Sequence, residues 1–201
     1  MARYDPTVGY AIIERFLDRT EVEAVLAECD RLFNLAPEQR HHRDKFSHGT
    51  RHLEDLSARS EVIAEIVERV ELLDVVAAIV GPNPTPQVMS YRCPQPGFGG
   101  QKLHADDVPK LDDAPELAAT AIVALVDFAS DNGSTRFVPG SHRRPDLQRS
   151  AGSLESHPDE QVFLGEAGTA FVYSGHLLHA GGENRSSADR PALQLTWRRQ
   201  A

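Results

Sequence analysis

The chain has 201 residues, of which 40% are hydrophobic and 25% charged, which suits one globular domain with a sizeable core. A formal net charge of −9 argues against non-specific nucleic-acid binding, and the longest apolar run, 75–80, is too short to span a bilayer. No apolar signal core follows Met1, and Cys29 and Cys93 are widely spaced thiols without a CxxC, so a reducing, cytoplasmic setting without a membrane partner is expected.

In chain order, Asp18-Arg19-Thr20-Glu21 reads as a capping box. Val22, Val25, Leu26, Cys29, Leu32 and Phe33 then recur at helical spacing, predicting an amphipathic helix over 19–34. The stretch 41–52 is crowded with His, Arg and Lys. Its basicity within an acidic protein makes it a candidate lid over an anionic ligand, with Lys45, His48 and Arg51 as contacts; a solvated loop is the alternative. A second helical stretch is predicted over 60–80, striped by Val62, Ile63, Ile66, Val67, Val70, Leu73 and Val76 and stopped by Gly81-Pro82.

After Pro86 the pattern changes to short β-like runs at 87–93, 100–105, 119–128, 134–138, 161–164, 169–174 and 191–199. Many short strands with no helices between them predict a mainly β fold with α, a sandwich or jelly roll. Residues 1–85 form its helical layer and 86–201 its β core. No linker divides the two, so 1–201 is expected to be one domain.

His104-Ala105-Asp106 places an imidazole and a carboxylate on the same side of an extended segment. Two imidazoles and one carboxylate can occupy one face of six-coordinate Fe(II), leaving three positions for a cosubstrate and O2. A bare HxD recurs by chance, so a returning histidine is needed. In Tyr173-Ser174-Gly175-His176-Leu177-Leu178-His179, both His176 and His179 compete for that role. Only His179 is followed eleven residues later by an arginine, Arg190. A metal alone has no need of that cation, whereas a dicarboxylic keto acid such as 2-oxoglutarate does. A guanidinium fork meets a carboxylate with two parallel charge-assisted hydrogen bonds. The alternative for Arg190 is a surface salt bridge beside Asp189.

Strand alternation adds further candidates. Gln87, Met89 and Tyr91 share one face of the run before the HxD, opposite Val88, Ser90 and Arg92. The first face is assigned to the cavity, with Gln87 or Tyr91 touching the keto-acid end or the substrate. On the last run Arg190, Ala192, Gln194 and Thr196 alternate with Leu193, Leu195 and Trp197. An inward Arg190 brings Gln194 inward as well and sends the apolar set, Trp197 included, against the N-terminal helices.

Three segments carry a resemblance over nearly the whole chain. They are Gly9-Tyr10-Ala11-Ile12-Ile13 through Phe16-Leu17, then 131–142 (DNGSTRFVPGSH), then His179 to Arg190 through Asn184. In this order and spacing the chain resembles the phytanoyl-CoA dioxygenase-like family of Fe(II)/2-oxoglutarate oxygenases. The resemblance implies a double-stranded β-helix, a cupin-like jelly roll with N-terminal helices packed on one sheet. It implies Fe(II) held by His104, Asp106 and His179, with 2-oxoglutarate and O2 as cosubstrates and Arg190 pairing with the keto acid's remote carboxylate. Small polar residues found near the distal histidine in relatives are replaced here by Gly181 and Gly182. Because Asp106 keeps the carboxylate position filled, hydroxylation of a small molecule or specialised metabolite is expected, with release of succinate and CO2. Desaturation, epimerisation or cyclisation on the same centre, or an isomerase or direct dioxygenase without the keto acid, are the alternatives.

Overall fold

Residues 2–35, 49–109, 114–150, 152–153 and 155–200 are described by a computed structural model. Their strands are β1 (Tyr10–Ile13), β2 (Thr50–Leu53), β3 (Thr85–Pro94), β4 (Ala118–Ala124), β5 (Thr135–Phe137), β6 (Gln161–Val162), β7 (Ala170–Ser174), β8 (His179–Gly181) and β9 (Ala192–Arg198). The helices are α1 (Arg19–Leu35), α2 (Leu56–Arg59), α3 (Glu61–Val67), α4 (Val70–Val80) and α5 (Pro145–Arg149). None is long and apolar enough to cross a membrane.

The strands form a jelly roll of two antiparallel sheets, the larger in the order β1-β7-β4-β9-β3-β2 and the smaller β6-β5-β8. Aromatic rings join them. Phe137 of β5 lies 4.7 Å from Phe171 of β7, centroid to centroid, and Phe163 stacks on Phe171 at 5.1 Å. On the outer face of the large sheet, Ala119, Ala121, Val123, Val172, Leu193, Leu195 and Trp197 pack with Val25, Phe33, Ile66 and Val76 of the helices. All seven residues of β4 are therefore buried, which explains a strand that is apolar throughout instead of alternating.

The capping box forms as expected. Asp18 Oδ1 accepts from Glu21 N at 2.9 Å, and Glu21 Oε2 accepts from Asp18 N at 2.8 Å. The single helix predicted over 60–80 is instead broken at Arg69, whose backbone is extended (ψ 128°). Tertiary contacts explain the break: Arg69 donates to the Phe16 carbonyl at 2.7 Å and pairs with Glu21 at the start of α1. Most of the basic stretch 41–52 lies outside the described residues, Lys45 and His48 among them. Arg51 lies in β2, donating to Asp30 at 3.2 Å and covering the Phe33 ring at 4.4 Å, away from the cavity.

Candidate active site

Residues 100–105 do not form a continuous strand; His104 alone bridges to His179. His104 N donates to the His179 carbonyl at 2.9 Å and His179 N to the His104 carbonyl at 2.8 Å. This reciprocal pair sets the two rings 4.5 Å apart. Two residues on, Asp106 N donates to the Gly175 carbonyl at 2.8 Å, so the turn before β8 also fixes the carboxylate-bearing backbone.

The donor atoms converge. One atom each of His104, Asp106 and His179 lies within 4.8 Å of the others. His104 Nδ1 donates to the Lys102 carbonyl and His179 Nδ1 to the Leu177 carbonyl, each at 2.9 Å. A carbonyl only accepts, so both rings carry their proton on Nδ1 and direct the Nε2 lone pair elsewhere. His179 Nε2 is 3.5 Å from Asp106 Oδ1. The other carboxylate oxygen, Oδ2, accepts from Thr120 Oγ1 at 3.1 Å, and Thr120 is itself 3.1 Å from Thr196 Oγ1. Thr120 has one proton and gives it to Asp106, so Thr196 is the donor in that second contact. Burial, followed by the neighbouring His179, pushes the His104 pKa down and favours the neutral imidazole that metal coordination needs.

The three side chains open onto a cavity of about 160 Å³, also lined by Arg92, Gln101, Thr135, Tyr173, Arg190 and Gln194 among others. Arg190 is 6% exposed, and its guanidinium lies 4.6 Å above the Phe128 ring. Its Nε has no hydrogen-bond partner, and no carboxylate among the described residues pairs with it. Burial pushes its pKa down to about 10, so it remains a cation at neutral pH. Asn184 shapes the loop that delivers it: its Nδ2 donates to the carbonyls of Pro94 (3.0 Å) and Ala188 (2.8 Å). Tyr173 packs 4.6 Å from the His179 ring, and burial holds its phenol far above the usual range, hence protonated.

His104, Asp106, His179, Arg190 and Gln194 thus share one cavity. Gln87 and Tyr91 do not, which corrects their assignment. Tyr91 is 3% exposed on the helix side of β3, edge-on to Phe33 at 5.5 Å, and Gln87 accepts from Arg198 Nε at 2.9 Å. Gln87 falls at the irregularity between Pro86 and Val88 and is not in the cavity lining; for Tyr91 the cause is register. Ser90 pairs with Gln194 and Arg92 with Ala192, and paired residues share a face, so an inward β9 turns Ser90 and Arg92 inward. His176 turns away from the cluster, its Nδ1 at 2.6 Å from Glu116 Oε2. Sequence reasoning missed Arg92, Gln101, Thr120, Thr135 and Tyr173. Gln101 Oε1 accepts from Gly181 N at 2.8 Å, and a Cβ on Gly181 would meet the Gly99 carbonyl at 2.7 Å, so glycine here permits close backbone approach.

Comparison with known proteins adds the following. The phytanoyl-CoA dioxygenase (PhyH) family model matches residues 7–192. The chain is 31% identical over 164 residues to dioxygenase trt7 of Aspergillus terreus (strain NIH 2624 / FGSC A1156), covering 73% of this chain and 54% of that one. It is 29% identical over 205 residues to dioxygenase cdmA of Talaromyces verruculosus, covering 93% and 68%. The chain thus spans about half of trt7, and of some other curated relatives only 34%. Its fold matches that of the epimerase SnoN in complex with Fe3+, alpha ketoglutarate and nogalamycin RO, with a TM-score of 0.79 at 20% identity, over 96% of this chain and 79% of that one.

Proposed function

Because the chain belongs to the phytanoyl-CoA dioxygenase family, we propose that it is an Fe(II)- and 2-oxoglutarate-dependent oxygenase that hydroxylates a small molecule. His104, Asp106 and His179 are the proposed metal ligands. Arg190 is the anchor for the keto acid's remote carboxylate, with Gln194 beside it on the cavity wall. The observation that carries this reading is the convergence of two imidazoles and one carboxylate next to a buried cation with which no carboxylate among the described residues pairs.

The residues fit both groups. Each imidazole is held in the tautomer that leaves Nε2 available, and Asp106 is held through one oxygen, leaving the other for the metal. A ligand set of two histidines and one carboxylate suits a non-haem ferrous centre with open positions. Bound there, iron and keto acid would supply oxidising equivalents from O2, with succinate and CO2 released.

The chain's own contribution is positioning. Arg190, already desolvated, binds a carboxylate with little loss of hydration at the moment of binding, and its fork fixes orientation. Thr120 and Thr196 hold the Asp106 carboxylate in one rotamer. Tyr173 lines the cavity against the His179 ring, and Phe128 lies under the Arg190 guanidinium. A reading that uses the triad without a keto acid leaves Arg190 as an uncompensated buried charge, which is costly. SnoN, solved with nogalamycin RO, supports a small molecule as the substrate class.

The test incubates ferrous protein with 2-oxoglutarate, O2 and a panel of small metabolites, following succinate and product mass. Oxygen-dependent succinate and a product heavier by one oxygen are expected. A metal-bound protein that forms no succinate would remove the keto acid; a product of unchanged mass or two hydrogens lighter would replace hydroxylation by epimerisation or by desaturation or ring closure.

A further inference from the structure

The turn between β7 and β8 carries a second buried constellation that the proposed reaction does not use. His176 is 1% exposed and Glu116 9%. His176 Nδ1 is 2.6 Å from Glu116 Oε2, Ser174 Oγ donates to the same oxygen, and the His176 backbone N–H donates to Ser174 Oγ at 3.1 Å. Ser, His and Glu so arranged do not make a nucleophile: the serine is fully buried and gives its proton to the carboxylate, not to the imidazole. Burying a carboxylate costs several kcal/mol before its partners are counted, and well-packed apolar side chains are often as stable. A conformational role is the remaining physical reason for the pair.

Its location supplies one. Glu116 lies on the segment that runs from Asp106 into β4, and His176 lies three residues before His179. Between them, the Gly175 carbonyl accepts from Asp106 N at 2.8 Å, and Gly175 N donates to the Ala118 carbonyl at 2.8 Å. On the far side, Leu178 N donates to Ser141 Oγ at 2.8 Å. The turn is thus tied down at both ends of the two residues that immediately precede His179.

We infer that Glu116 and His176 form a positioning clasp for the metal centre: they seat the 174–178 turn against 114–118, fixing both the carbonyl that holds Asp106 and the angle at which His179 leaves the turn. This rests on His104, Asp106 and His179 being the metal ligands. Outer contacts of this kind typically change metal affinity ten- to a hundredfold, and Glu116 acts through backbone, so the lower end applies.

The test measures Mn(II) binding by electron paramagnetic resonance for the wild type, Glu116→Gln, His176→Gln and Ser174→Ala, with circular dichroism melts alongside. In folded Glu116→Gln and His176→Gln, Mn(II) affinity should fall about tenfold, with a broadened bound-ion spectrum. Ser174→Ala, which removes the links to Glu116 and to the His176 N–H but leaves the Glu116–His176 pair in place, should show a smaller loss in the same direction. If the glutamine variants do not fold, Ser174→Ala decides alone. Lower melting temperatures with unchanged affinity and spectrum would make the pair purely structural and overturn the inference. A wild type that binds no Mn(II) would overturn the metal centre itself, whereas wild-type binding matched by every variant removes only the clasp.

Discussion

Replacing Arg190 with Met should move ligand affinity and stability in opposite directions. The guanidinium is buried, its Nε lacks a partner, and burial has pushed its pKa down to about 10. A fall of that size corresponds to roughly 3 kcal/mol of cost to the charged form in the folded protein. At neutral pH the group is charged in both folded and unfolded chains, so this cost opposes folding. Methionine keeps the apolar stem and removes the charge, forfeiting the contact with the Phe128 ring, worth about 1–2 kcal/mol. The net gain is about 1–2 kcal/mol, or roughly 3–6 °C in Tm for a chain of this length. With 2-oxoglutarate the order reverses. Two charge-assisted hydrogen bonds at about 1.5–3 kcal/mol each are lost, weakening keto-acid binding by roughly two to four orders of magnitude. Scanning calorimetry with and without saturating Ni(II) and 2-oxoglutarate should therefore show the melting curves cross. A variant less stable than wild type without ligand would mean that Arg190 already has its counter-charge. Unchanged keto-acid affinity would remove it from the site.

Four further substitutions probe the walls and the support of the centre. Thr120→Val keeps shape but removes the donor to Asp106 Oδ2; Mn(II) affinity should fall about tenfold, and an unchanged titration would show that Asp106 needs no such support. Gly181→Ala forces a Cβ to within 2.7 Å of the Gly99 carbonyl; a loss of about 1–3 kcal/mol is expected in denaturant melts, and a neutral result would mean that the 99–101 segment yields freely. Gln87→Ala and Tyr91→Phe, at residues that do not line the cavity, should leave 2-oxoglutarate affinity by calorimetry as in wild type. A loss comparable to that of Arg190→Met would return these residues to the site.

The chemistry was more legible than the walls that surround it. His104 and Asp106 are neighbours in sequence, and the arginine at a fixed distance favoured His179 over His176. The fold adds a physical reason for that choice, since Glu116 occupies His176. Trp197 and its alternates could be turned toward the helices because one polar set, Arg190 and Gln194, fixed the phase of β9. Nothing fixed the phase of β3. Its inward face follows from pairing with β9, including an irregularity between Pro86 and Val88, and register is a tertiary property. The break at Arg69 was hidden for the same reason: its partners, Phe16 and Glu21, lie far away in sequence. β1, β2 and β8 have three or four residues each, too short for periodicity to register.

Anaerobic addition of 2-oxoglutarate to the ferrous protein, watched by visible absorption, tests the central claim most directly. A keto acid chelated to ferrous iron gives a charge-transfer band; it should appear in the wild type, require far more keto acid in Arg190→Met and be absent in His179→Ala. A wild type that takes up Fe(II) yet shows no band, or a His179→Ala protein that shows the same band, would contradict the account.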